Sequence, residues 1–170
     1  MEQGENVRVF ELLRKAEALT KRDDRGRVTT YNNLGCFYRR EGKLHAALEY
    51  LNKAAALDES LGAKQKHPAD TYLNLSAVYS ELGRHGEALH KARIAVEMLN
   101  EELFSLRSTA GELKDKTARI AIYAVAWYNI GAEQEFLQKH VLSVESYRKG
   151  LQVAKRYLGI KHPLACLLYT

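Results

Sequence analysis

Three stretches of this chain can be laid over one another without a gap. They are YNNLGCFYRREGKLHAALEYLNKAAAL (31–57), YLNLSAVYSELGRHGEALHKARIAVEM (72–98) and WYNIGAEQEFLQKHVLSVESYRKGLQV (127–153). The second copy starts 41 residues after the first, and the third 55 residues after the second. A sequence that repeats itself at this period is built from units too small to bury their own apolar face. Neighbouring units must stack to make a core.

The periodicity within each copy is helical. Apolar residues recur at spacings of three and four, and alternation of apolar with polar residues is never sustained. The two prolines, Pro68 and Pro163, and the glycines Gly42, Gly83, Gly111 and Gly159 fall where an apolar period breaks. These marks predict helices over 7–21, 28–40, 43–59, 68–82, 85–105, 114–138 and 141–158, with a last one beginning at Pro163. The fold class is therefore all-α, made of antiparallel helix pairs.

The shared positions have physical roles. Small residues at Gly35, Ser76 and Gly131, and again at Ala47, Ala88 and Ser143, let the two helices of a pair approach closely. Tyr31, Tyr72 and Trp127, followed one turn later by Leu34, Leu75 and Ile130, are large enough to fill the space between one pair and the next. Between the second and third copies, the charged, helix-favouring stretch from Asn100 to Lys116 adds 14 residues. About two extra turns on each flanking helix would absorb them, so a pair of protruding long helices is expected rather than a loose insert.

Composition narrows the function. The chain has 170 residues, 46% apolar and 28% charged, which suits one soluble domain with a sizeable core. No apolar run approaches a membrane span, and the start, MEQGENVRVFELLRK, lacks a secretory pattern, so a cytoplasmic setting and no membrane partner are expected. Cys36 and Cys166 stand far apart with no CxxC spacing, which predicts reduced thiols rather than a bridge or a zinc site. The net charge of +5 divides into +1 over residues 1–60, zero over 61–110 and +4 over 111–170. That is a diffuse excess, and nucleic acid is not expected as a partner. The six histidines form neither an HExxH motif nor any i,i+4 pair, and neither a phosphate-cradling glycine loop nor a GxSxG elbow occurs. No catalytic residue, metal or cofactor is expected. His67 and His162, each before a proline, read as local caps at a helix start.

The pattern of an aromatic, then Leu-Gly, then Tyr in a first helix, and Ala, an aromatic and Ala in a second, resembles the tetratricopeptide repeat family. The first copy carries Tyr31, Leu34-Gly35, Tyr38, Ala47, Leu51 and Ala54; the second Tyr72, Leu75, Tyr79, Ala88 and Ala95, with Ser76 for Gly. The third has Trp127, Ile130-Gly131 and Tyr147, but Gln134 replaces the Tyr and Gly150 the last Ala. The joint LGAKQKHPAD, echoed by KHPLACLLYT at the end, is similar to those of the kinesin-light-chain class of these repeats. The resemblance implies a right-handed α-solenoid in one domain. A preceding helix would lie at 7–21, repeats at 27–61, 68–106 and 112–158, and the start of a fourth, truncated repeat at 163–170. Leu164, Leu167 and Leu168 make that last segment apolar, so the chain is expected to be an excerpt of a longer array that could self-associate through this end.

In this family the first helices line a concave groove. Two residues after the aromatic of each copy stand Asn33, Asn74 and Asn129, where the resemblance implies amides that hydrogen-bond a bound peptide backbone. An amide suits the task because it both donates and accepts. Cys36, Ala77 and Ala132 would leave room on the groove floor, while Asn32, Leu73 and Tyr128 would add to its wall; Tyr169 stands where a fourth Asn would fall. Bridging between neighbouring helices is the structural alternative for the asparagines. The carboxylate clamp of related chaperone-tail readers is not expected, since Asn32, Cys36, Val125 and Asn129 occupy its positions. Arg39 and Arg40 could favour an acidic partner or simply be a solvated helix end. The expected function is a non-catalytic adaptor or scaffold module, cytoskeleton-associated by analogy, holding a short peptide segment of a partner. The competing expectation is a structural or oligomerisation element using its ends or its long helices.

Overall fold

The structure is a computed structural model and describes residues 2–62, 68–104, 113–160 and 162–164. The described residues form seven helices and no strand. They are α1 (Glu2–Leu19), α2 (Asp24–Arg40), α3 (Leu44–Leu61), α4 (Pro68–Glu81), α5 (His85–Phe104), α6 (Leu113–Phe136) and α7 (His140–Tyr157). Most ends fall within two residues of the predicted ones. The exceptions are the starts of α1 and α2, predicted at 7 and 28. At α2 the extended Asp23 serves as the entry residue and Asp24 complements the dipole of the first turn, so Gly26 is tolerated inside the helix. The chain divides into two compact units, residues 1–82 and 83–170.

In the first unit α2 packs on α3, α3 on α4, and α1 against α2. Leu34, Ala47, Leu51 and Ala54 have no exposed surface, and neither have Ala69, Leu75 and Val78 on α4. Gly35 permits the closest approach, since a methyl group there would stand 2.5 Å from Leu51 Cγ. Phe10 of α1 stacks on Phe37 and meets the edge of Tyr38, which itself stacks on Tyr50 at 5.4 Å; Tyr31 leans on Tyr50 at 5.8 Å. Five aromatic rings thus fill the space between α1, α2 and α3. Gly42, with φ +71°, closes the turn between α2 and α3 in a left-handed conformation that side chains rarely adopt.

One buried group of this unit titrates abnormally. Asp58 on α3 is 4% exposed; its Oδ2 accepts from the Thr71 hydroxyl at 2.9 Å, while Oδ1 has no partner and no access to water. Burial, opposed by the Thr71 hydrogen bond and aided by Asp70, pushes its pKa from 3.8 up to about 6. The fold therefore holds the proton more tightly than the open chain. The stability this brings is complete below the unfolded value of 3.8 and is lost as pH rises through about 6. Asp58→Asn should remove this slope between those values. It should also leave the protein about 2 kcal/mol more stable than wild type at neutral pH, as read by urea unfolding across the range.

In the second unit α6 packs between α5 and α7. Arg119, 5% exposed, donates from Nε and Nη2 to the two carboxylate oxygens of Glu102, each at 2.8 Å. Tyr123 donates to Asn100 Oδ1 at 3.3 Å and meets the Phe104 ring edge-on. These contacts fasten the last turns of α5 to α6. α6, with 24 residues, is longer than α2 with 17 and α4 with 14, whereas α5, with 20, is close to the 18 of α3; residues 105–112, where the rest of the added stretch falls, lie outside the described residues. His85 approaches Glu133 at 2.8 Å and stacks on Phe136, a structural role for a histidine.

The third copy's departures from the repeat pattern have physical causes. Gly150 lies against α6, where a methyl group would stand 2.9 Å from the Ala124 carbonyl oxygen. Gln134 and Ser146, both 4% exposed, replace the stacked pair Tyr38 and Tyr50 by a hydrogen bond of 2.7 Å from the Ser146 hydroxyl to the amide oxygen. Gln138 stands in the turn where the first two copies have Gly42 and Gly83, and it holds φ +58°. His162 accepts the Leu164 amide at Nδ1, 3.2 Å, as predicted for a cap, and Leu164 folds back beside Val153, Leu158 and Ala154. His67, Gly111, Cys166, Leu167, Leu168 and Tyr169 lie outside the described residues.

Candidate peptide-binding faces

Within the first unit, α2 and α4 run beside one another, and the first helices of two successive copies share a face. Asn33, Cys36 and Arg40 follow one another at i, i+3 and i+7 on α2, which places them on one stripe. Asn33 and Arg40 are exposed, and Cys36 is half-buried between them. Leu73, Asn74 and Ala77, all half-buried, come from α4.

The asparagines are not equivalent. Asn74 donates from its amide nitrogen to Asn32 Oδ1 at 2.9 Å and so bridges α4 to α2. Here the bridging alternative describes the contact. The carboxamides of Asn33 and Asn129, in contrast, make no hydrogen bond among the described residues. A polar amide at the same helical position in two copies, satisfied by neither core nor neighbour, is available to an outside donor or acceptor. Its lack of a partner costs little only because water reaches it.

Charge near this face is modest. Arg39 is drawn aside toward Glu81 at the end of α4, 3.6 Å away, and leaves Arg40 as the cation on the stripe. Burial pushes the Cys36 thiol up, more than Arg39 and Arg40 pull it down, so the thiol is protonated at neutral pH and is no activated nucleophile. Cys36 is a free thiol.

In the second unit the matching stripe of α6 carries Tyr128, Asn129 and Ala132. Tyr128 is 43% exposed and leans on Tyr147 at 5.1 Å, which props its ring at the surface. Tyr147 in turn needs Gly131 beneath it, where a methyl group would stand 2.6 Å from the ring. Among the described residues no three His, Cys, Asp or Glu side chains gather as metal ligands, and no helix is long and apolar enough to cross a membrane. Sequence reasoning did not find a cavity on the second unit between α5, α6 and α7. The departure at Gln134 was its only signal.

Comparison with known proteins agrees with the fold. A family profile described as the tetratricopeptide repeat matches residues 26–101. No curated protein matches. Among solved structures, BtubC (BKLC) from P. vanneervenii superposes with a TM-score of 0.72 at 17% identity, over 98% of this chain and 62% of that one. The present chain thus spans under two thirds of BtubC. A putative kinesin light chain of Podosopora anserina, described as having nearly identical TPR-like repeats, gives 0.65 at 20% identity over 98% of this chain and 75% of its own. A singly substituted form of that protein gives 0.67 with the same identity and coverage. At these identities the likeness is one of fold.

Proposed function

Since residues 26–101 belong to the tetratricopeptide repeat family, whose fold serves as a protein–protein interaction module, we propose that the chain is a non-catalytic adaptor that holds an extended peptide segment of a partner. Each unit, taken by itself, presents a first-helix face to which a peptide can bind. On the first, Asn33 reads the backbone, Asn32 and Leu73 wall the site, Cys36 and Ala77 leave room, and Arg40 favours an acidic neighbour on the peptide. On the second, Asn129 reads the backbone beside Tyr128 and Ala132. Asn74 is a support, holding α4 to α2 through Asn32. The observation that carries this reading is the pair of unsatisfied carboxamides at Asn33 and Asn129, at one repeat position, where a third is already spent on a helix–helix bond.

Each amide contributes about 0.5–1.5 kcal/mol net, so apolar anchors on the peptide supply most of the affinity. Peptides selected from a displayed random library against the wild type should bind Asn33→Ala and Asn129→Ala about tenfold more weakly each, with unchanged melting of both variants. Asn74→Ala should lower the melting temperature as well, because its partner Asn32 loses a half-buried hydrogen bond. Selected peptides that bind all three variants as tightly as the wild type would sink this reading.

A further inference from the structure

A cavity of about 600 Å³ opens on the second unit between α5, α6 and α7. Its floor is the α6 stripe Tyr123, Trp127, Ile130 and Gln134. At about 100° per residue this stripe is centred roughly 130° round the helix from Asn129. The cavity is therefore separate from the face described above. Arg93 and Glu97 of α5 and Ser146 and Lys149 of α7 form its sides.

The first unit shows what the corresponding space contains there. There the residues matching Gln134 and Ser146 are Tyr38 and Tyr50, whose stacked rings occupy the gap between the helices. The Tyr50 hydroxyl accepts from Arg14 of α1 at 3.1 Å, and Lys53 lies over the Tyr50 ring. In the second unit both rings are missing while their surroundings persist. Trp127 stands where Tyr31 leans on Tyr50, Arg93 reaches in from α5 as Arg14 does from α1, and Lys149, the match of Lys53, lies instead over Trp127 at 4.6 Å. Gln134 is 4% exposed, its oxygen is taken by Ser146, and its amide nitrogen has no hydrogen-bond partner among the described residues. This donor still meets solvent through the cavity, and beside an indole it offers itself to an aromatic ring that carries an acceptor.

We propose that this cavity is a receptor for a tyrosine side chain of a partner protein, its ring against Trp127 and its phenol oxygen accepting from the Gln134 amide. The incoming ring restores the packing that Tyr38 and Tyr50 provide within the first unit. Arg93, Glu97 and Lys149 line the rest of the cavity.

Trp127 is the only tryptophan of the chain, so its emission reports the occupancy of the cavity directly. N-acetyl-tyrosinamide, titrated under selective tryptophan excitation, should change that emission saturably. N-acetyl-phenylalaninamide should bind about tenfold more weakly, because the Gln134 donor is then left unpaired, and N-acetyl-leucinamide should give no saturable response. Gln134→Leu should erase the preference for tyrosine over phenylalanine. Ser146→Tyr, which rebuilds half of the first unit's pair, should abolish binding of both. Asn129→Ala should leave the titration unaltered, so failure here and failure of the peptide-binding faces are separable. The proposal is overturned if wild type gives no saturable response, if tyrosine and leucine amides bind equally, or if Gln134→Leu keeps the tyrosine preference.

Discussion

Gly150→Ala should destabilise the protein by about 2 kcal/mol, although both helix propensity and the repeat pattern favour alanine at this position. In an exposed helix the change would gain about 1 kcal/mol, and the first two copies carry Ala54 and Ala95 here. The methyl group at 150, however, would stand 2.9 Å from the Ala124 carbonyl oxygen and 3.3 Å from Trp127 Cβ. A backbone oxygen inside a helix cannot step aside as a flexible side chain can. α7 must instead withdraw from α6, and the overpacking cost of about 1–3 kcal/mol outweighs the propensity gain. A drop of roughly 4–8 °C in melting temperature is the expected reading. A rise would mean that the two helices are not held at this spacing.

Leu51→Ala should cost about 3 kcal/mol, since this side chain has no exposed surface and fills the space over Gly35. Gly35→Ala alone should cost about 2 kcal/mol, because the added methyl group meets Leu51 Cγ at 2.5 Å and Cδ2 at 2.7 Å in a core with nowhere for the leucine to go. The two changes should not add. Combined, the methyl group enters the volume that the leucine vacated, and the double variant should recover at least about 1.5 kcal/mol relative to the sum. Urea unfolding of the four proteins closes this cycle. A coupling near zero would refute the close approach of α2 and α3 at this point.

Much of the fold was legible because the sequence states it three times. One copy of an aromatic, a Leu-Gly and an Ala is weak evidence; recurrence at fixed offsets ties each residue to a role. Leu34, Leu75 and Ile130 are all buried, as are Ala47, Ala88 and Ser143. The greater length of α6 was also readable, from charged, helix-favouring residues in place of turn formers. The candidate faces were less so. Spacing put Asn33, Asn74 and Asn129 at one helical position, yet it could not tell that Asn32 stands within 2.9 Å of Asn74 and claims its amide. That contact joins residues 42 apart in sequence, and no local pattern encodes it.

The sequence by itself determined the helices, their pairing and the small residues at their crossings, because periodicity and steric bulk act over neighbouring turns. Only the tertiary structure decided what the exceptions mean. Gly150 reads as a lost alanine until the Ala124 carbonyl is seen against it, and Gln134 as a lost tyrosine until its bond to Ser146 and the open space beside Trp127 are in view. The cause is the same in both cases. A packed contact is a property of two surfaces, and a departure in one acquires its consequence from the shape of the other.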